Sequence, residues 1–241
     1  GDEAMGCKEM LAHAWGLVWV IVSNGVWLCT TLGYAAYTFS VGAMAVWAPS
    51  YLQRRFGVAL QDADLMFGLV AVITGLLGTI GGGLLLDIAV RVLNKELNEA
   101  SLLLTVVLMT LAWPCCWMAF RVESYHSFLA LIALGQLLAF GTTTPVNGVL
   151  LWSVPSSART LSMALAVLGM HILGDVPSPV IVGAMFEVWG DRPEVVMQGV
   201  ASIIGVGIFF WGWGYVIARR HNAEKARHSV TDAHVPLLHS V

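Results

Sequence analysis

The sequence predicts an all-α integral membrane protein with six transmembrane helices. Three observations carry that reading. Of 241 residues, 58% are hydrophobic and only 11% are charged, and mean hydropathy is +0.78. Soluble domains usually hold ~45–50% apolar and ~25% charged residues, so no water-soluble fold of this size hides so much apolar surface. The apolar residues gather into runs near the ~20 residues that a helix needs to cross a bilayer. Ten tryptophans suit a chain with two membrane–water interfaces, where Trp concentrates.

The elements follow in chain order. Residues 1–24 read as a cytoplasmic or interfacial lead-in: 1–13 are polar, and 14–24 are apolar and Trp-rich but short of a span. The start Gly1-Asp2-Glu3 lacks the basic and apolar pattern of a signal peptide. It also lacks an initiator Met, which suggests a chain cut from something longer. The first span is placed at 25–50, ending at Trp47-Ala48-Pro49. The second is at 65–86, opened by Gln61-Asp62-Ala63-Asp64, an acidic run suited to capping a helix. The others are at 100–120, 127–151, 161–186 and 196–218, so 25–218 forms one six-helix bundle. The tail, 219–241, is polar and predicted disordered.

Six spans place both termini on one side, with Lys8, Arg91, Lys95, Arg159, Arg219, Arg220, Lys225 and Arg227. Arg54, Arg55, Arg121 and Arg192 fall on the other. The excess of basic residues puts the termini in the cytoplasm. A net charge of -3 with no basic patch excludes a nucleic-acid partner. Cys7, Cys29, Cys115 and Cys116 have neither metal nor disulfide spacing. There is no hydrolase elbow, and the Gly81–Gly83 run lacks the Lys and Ser/Thr of a phosphate-binding loop. The sequence therefore calls for no cofactor, no metal and no enzyme activity.

Four segments carry polar chemistry inside apolar runs. The second span ends in Gly81-Gly82-Gly83, then Asp87 and Arg91. Glycines admit a neighbouring helix closely, and Asp87 at the membrane edge can pair with Arg91 or face a helix N-terminus. Gly83, Asp87 and Arg91 form a G-x-x-x-D-x-x-x-R pattern that resembles the cytoplasmic loop motif of the major facilitator superfamily, which implies a conformational latch; the alternative is a packing face with an ordinary helix-end Asp. In the fifth span His171 and Asp175 share a face, about 18 Å in from Arg159 at helical rise. An ionised Asp facing lipid there costs at least ~2.5–3.5 kcal/mol, so the pair is expected to face the bundle interior or a watery cavity. Pro177 and Pro179 should loosen the helix just beyond it. Such a pair beside a broken helix suits a proton or substrate-headgroup site; a hydrogen-bonded pair that only fixes the kink is the alternative. In the fourth span Gln136, Thr144, Pro145 and Asn147 suggest a bent helix with Thr144 and Asn147 toward a cavity, or helix–helix hydrogen bonds worth about 0.6 kcal/mol each. Tyr34, Tyr37 and Thr38 share a face of the first span and are read as lining the same cavity.

Several stretches resemble a known family. Leu32-Gly33-Tyr34-Ala35-Ala36-Tyr37, Trp47-Ala48-Pro49, Phe67-Gly68, Thr74-Gly75-Leu76-Leu77-Gly78-Thr79, Pro145-Val146-Asn147 and His171-Ile172-Leu173-Gly174-Asp175-Val176-Pro177-Ser178 look like the C-terminal half of Spinster-type transporters of the major facilitator superfamily, in the plant-like branch. The resemblance covers about residues 23–218. It implies a six-helix half of a major facilitator fold, a central cavity between two halves, alternating access, and export of lysophospholipids or sphingolipid-like lipids, often proton-linked. It implies that His171, Asp175 and Ser178 belong to the fifth-span motif, and Asp87 and Arg91 to the loop motif. Gln136 departs from it, standing where the family often has an acidic residue. The N-terminal six-helix half, expected to hold the main proton-coupling carboxylate, is missing from this chain. The partners expected are therefore a lipid-like or small organic substrate, membrane lipids, and that half or a pairing half, in a plasma, endolysosomal or vacuolar membrane. The alternative function is a truncated or degenerate membrane component that transports nothing and serves as scaffold or sensor. An intramembrane lipid enzyme using His171 and Asp175 lacks a nucleophile or metal set to accompany them.

Overall fold

The structure is a computed structural model that describes residues 7–233, with side chains from 12 to 227. Among these residues there are helices, turns and no strand. A short helix α1 (Cys7–Val22) meets α2 (Gly25–Phe56) at a bend of 76°. Asn24 makes the corner: its side chain accepts from the Val26 and Trp27 amides and donates to the Ser153 carbonyl at 2.7 Å. Then come α3 (Leu60–Leu93), α4 (Leu97–Ala119), α5 (Tyr125–Phe140) with α6 (Thr143–Trp152), α7 (Arg159–Met170) with α8 (Ser178–Trp189), and α9 (Pro193–Ala233). Five of these stretches are long and apolar enough to cross a membrane, with α5–α6 and α7–α8 each counted as one; α2 qualifies together with α1, giving six.

The reason α2 needs its neighbour to qualify is structural. It carries Thr30, Thr31 and Ser40, all buried, and it packs against α9, α7, α8 and α3. A span wrapped by other helices can hold hydroxyls that find backbone carbonyls, as Thr30 and Ser40 do; the buried Thr31 hydroxyl has no partner among the described residues. Thr30 bonds Val26 at 2.7 Å, and Ser40 bonds Val200 of α9 at 2.9 Å. The outer flank of α3 is the opposite case, with Leu65, Leu69, Val72, Leu76, Ile80 and Leu84 all exposed, a surface suited to hydrocarbon or to another helical unit.

Three boundaries differ from the sequence reading. The first helix continues through Pro49 to Phe56 and stops at Gly57, whose φ of 68° is the left-handed conformation that closes a helix. Arg54 and Arg55 thus sit in its last turn, where a cation suits the helix dipole. The second helix starts at Leu60, so Asp62 lies in its first turn and does not cap it. The tail predicted disordered from 219 is helical to Ala233, because Asn222 to Arg227 is rich in helix-forming residues and is tethered. Residues 234–241 lie outside the described residues.

The tether is Glu99. It is buried, takes the Lys95 ammonium in an ion pair, and accepts from Asn222 of α9 at 3.2 Å. Its hydrogen bond holds the Lys95 pKa above the ordinary value. Glu99→Ala should release this end of α9. Losing ~1 kcal/mol of local stability raises the open population about fivefold, so tryptic cleavage after Arg219 and Arg220 should speed up by about that factor. An unchanged cleavage rate would mean that Glu99 is not the tether.

At the other end of the bundle an aromatic cluster closes the core. Tyr51 packs edge-on against Phe120 at 5.2 Å and donates its hydroxyl to the Phe120 carbonyl at 3.2 Å, while Phe56, Tyr125 and Phe128 complete the group.

Candidate functional site in the broken fifth span

The fifth span is one helix interrupted. Pro177 and Pro179 lack the N–H that would continue the α-helical ladder. The chain widens by one residue: Val176 N–H bonds the His171 carbonyl at 3.0 Å, and His171–Asp175 forms a π-helical turn between α7 and α8. Such turns recur at functional sites. Side chains satisfy carbonyls around the break. Thr38 donates to Met170 at 3.1 Å, Ser178 to Asp175 at 3.1 Å, and the Trp47 indole to Pro179 at 3.1 Å. Two of these three donors come from α2, which fits against the break with little clearance. A Cβ on Gly174 would lie 2.6 Å from the Ala35 carbonyl oxygen, and one on Gly42 would lie 2.9 Å from Ser178 Oγ and 3.2 Å from Asp175 Cα.

On this turn His171 Nδ1 lies 2.6 Å from Asp175 Oδ2. The pair does not enter the interior of this bundle. The side chains of His171 and Asp175 are 54% and 34% exposed, on the flank that also presents Ile172 and Leu173. The face turned inward is taken by Gly174, since only a residue without a side chain clears Ala35. Of the two surroundings expected for the pair, the interior of these six helices is ruled out.

The other predicted residues separate into two groups. Tyr34 is half-buried on α2, within electrostatic reach of Asp175, and its ring stacks on Tyr37 at 5.9 Å and 19°. Tyr37 is buried and turns the other way, toward Trp211 and into a cavity of about 80 Å³. Met44, Phe67, Cys116, Gln136 and Phe140 line that cavity too, so its wall is almost wholly apolar. Sequence reasoning singled out Tyr37 and Gln136 but not the cavity they share, because its residues come from five helices. Gln136 is held there 3.3 Å from the Thr74 hydroxyl. Ser178 is wholly buried, which leaves it no surface for a ligand. Thr144 donates to the Thr79 carbonyl at 3.1 Å, a helix–helix contact. Asn147 is half-buried within α6, and its side chain makes no hydrogen bond to the described residues. The predicted bend of the fourth span is present, at Gly141-Thr142 between α5 and α6.

The glycine face of α3 meets this bend. A Cβ at Gly82 would fall 1.9 Å from the Gly141 carbonyl oxygen, and at Gly78 it would fall 2.5 Å from that of Leu137. Gly83 has only ordinary contacts with Thr144, so the close approach belongs to its neighbour. Asp87 and Arg91 are both exposed, and no ion pair joins them. The pairing expected between them is absent here; each is free to meet a group outside this bundle.

The sequence model of the Organic Anion Transporter Polypeptide (OATP) family matches residues 2–121 and 116–189. A protein of Arabidopsis thaliana named probable sphingolipid transporter spinster homolog 3 is 39% identical over 164 residues, 68% of this chain and 31% of its own length. Spinster homolog 2 of the same plant is 35% identical over 196 residues, 79% of this chain and 39% of its own length. The chain belongs to the Organic Anion Transporter Polypeptide family and is similar to Spinster-type proteins. Human protein spinster homolog 3 is similar as well, 29% identical over 220 residues, 84% of this chain and 40% of that protein. The fold is that of a solved bacterial Spinster homologue in an inward-facing, unoccupied state, with TM-score 0.70 and 14% identity, covering 90% of this chain and 52% of that one. The chain therefore has the fold of about half of that structure, a six-helix half of a major facilitator fold. It spans about a third to two fifths of the length of the curated relatives it matches. It is a multi-pass integral membrane protein, and these relatives include named transporters.

Proposed function

We propose that this chain supplies the C-terminal half of a proton-linked exporter of lysophospholipids or sphingolipid-like lipids that works by alternating access. The observation that carries the proposal is the His171–Asp175 contact on an exposed π-helical turn at mid-span. Intramembrane ionisable residues are costly and mark substrate or ion pathways. A pair left on the flank of one half, with an apolar surface around it, has its natural complement in a second half across a central cavity. The pair can hold one proton between imidazole and carboxylate: protonated it is neutral overall, and deprotonated it carries a net negative charge. Closing the second half over a neutral pair costs less than closing it over a charged one. Proton binding thereby favours the occluded state, and the lipid headgroup meets Tyr34 beside the pair, with Asn147 as a further contact elsewhere on the path. The apolar surroundings suit an acyl chain. Plant relatives with sphingolipid in their names support the substrate class, and we assign the protein to a plasma, endolysosomal or vacuolar membrane with cytoplasmic termini.

The test is flux of a labelled lysophospholipid by the intact protein in proteoliposomes. Saturable flux above protein-free vesicles is expected. Its absence for every lysolipid and sphingoid base tried, from protein shown to be folded, would favour the non-transporting scaffold, a reading to which the neutral Gln136 already lends some weight.

A further inference from the structure

At the end of the bundle that carries the aromatic cluster, three arginines from three separate elements converge on one cavity of about 400 Å³. Arg55 comes from the last turn of α2, Arg121 from the turn after α4, and Arg192 from the turn before α9. Phe120 and Val195 supply the apolar wall, and Glu194 and Gln198 complete it. The positive-inside bias depletes basic residues at this end, assigned here to the non-cytoplasmic side. Those that remain, Arg54 included, are all arginine, while Lys95 and Lys225 lie at the other end. Arginine presents a rigid fork of donors matched to oxyanions, whereas lysine is a point charge.

The basin is short of acceptors. No carboxylate of the described residues lies within ion-pair distance of the three guanidinium groups; the two ion pairs found are Lys95–Glu99 and His171–Asp175. Gln198 Nε2 is shut off from solvent and has no acceptor. Donors therefore outnumber Glu194, the one acidic residue in the lining. The basin is also preorganised. Tyr51 bonds the Phe120 carbonyl and packs against its ring, and the Arg121 guanidinium lies over the Trp117 ring at 5.6 Å.

We propose that this basin binds a phosphate-type oxyanion, with Arg55, Arg121 and Arg192 as the ligating groups and Gln198 as a further donor. It is separate from the His171–Asp175 turn and stands whether or not lipid is transported. The same chemistry is offered by free phosphate in solution and by the phosphodiester of an anionic lipid headgroup at the membrane surface.

The experiment uses the intact protein and reads its unfolding midpoint. One arm adds inorganic phosphate to protein in phosphate-free maltoside micelles. The other compares nanodiscs of phosphatidylcholine alone with nanodiscs containing equal phosphatidylglycerol. A rise of the midpoint with inorganic phosphate identifies a free-anion site, and a rise with phosphatidylglycerol alone identifies a headgroup site; both support the proposal. Either response should weaken by about tenfold or more in affinity in the triple variant Arg55→Gln, Arg121→Gln, Arg192→Gln, because a hydrogen bond to a charged group is worth ~1.5–3 kcal/mol. Arg54→Gln, outside the basin, should leave it unchanged. If the triple Gln variant does not fold, the triple Lys variant keeps the charge and should still bind more weakly than wild type. No midpoint shift in either arm, or equal shifts in wild type and variant, overturns the proposal: the first would mean that the basin binds no oxyanion, the second that the anion acts elsewhere on the protein.

Discussion

Gly82→Ala is expected to be the most damaging single methyl that can be added to this protein. The new Cβ would sit 1.9 Å from the Gly141 carbonyl oxygen and 2.6 Å from its carbonyl carbon. Both are backbone atoms, so no rotamer change relieves the clash, and α3 must move off the α5–α6 bend. Overpacking usually costs ~1–3 kcal/mol; a backbone-to-backbone clash belongs at or above ~3 kcal/mol, which lowers the melting temperature by roughly 5–10 °C. Gly81→Ala provides the control. Its Cβ would meet nothing within 4 Å, and Ala favours helix over Gly by ~1 kcal/mol, so it should be neutral or mildly stabilising. Thermal unfolding of both variants in detergent decides the matter. Equal midpoints for the two would mean that α3 does not approach the bend as closely as described.

That contrast also shows how far the sequence could be read. Three consecutive glycines announce a close contact but not which of them makes it. In a membrane the usual cue fails, because lipid and protein interior are equally apolar and hydrophobic periodicity does not distinguish them. The same blindness placed the His171–Asp175 pair correctly on one helical face but left open whether that face turned inward. The break after it was legible, since two prolines remove two donors wherever the helix lies. The end of α2 was misjudged because Pro49 looks like a stop signal, while the real stop is Gly57, a few residues on. The helical start of the tail was hidden because its anchor, Glu99, lies 123 residues earlier in the chain. The arginine basin was invisible for a similar reason: its members come from three turns that only the fold brings together.

The second large effect is expected at the π-helical turn. Asp175→Asn preserves size and keeps an oxygen facing His171, but it removes the charge and the ability to exchange a proton. His171→Ala removes the partner and leaves Asp175 Oδ2 without the contact it now makes at 2.6 Å. Because the pair is exposed on the flank, neither change should unfold the bundle; stability should move by less than ~1 kcal/mol. Lipid flux by the intact protein should fall by about tenfold or more in each, which corresponds to ~1.4 kcal/mol or more in the barrier of the limiting step. In the double variant the losses should not multiply, since the two residues act as one unit. Full flux in both single variants, with normal folding, would reduce the pair to a fastener for the helix break.

Lipid-dependent proton movement tests the central claim most directly. The intact protein is placed in proteoliposomes containing a pH-sensitive dye, and labelled lysophospholipid is added with and without an imposed proton gradient. The account predicts that lipid flux responds to the gradient, that lipid drives proton movement in the wild type, and that Asp175→Asn abolishes both. Lipid flux that ignores the gradient and survives Asp175→Asn unchanged would contradict it.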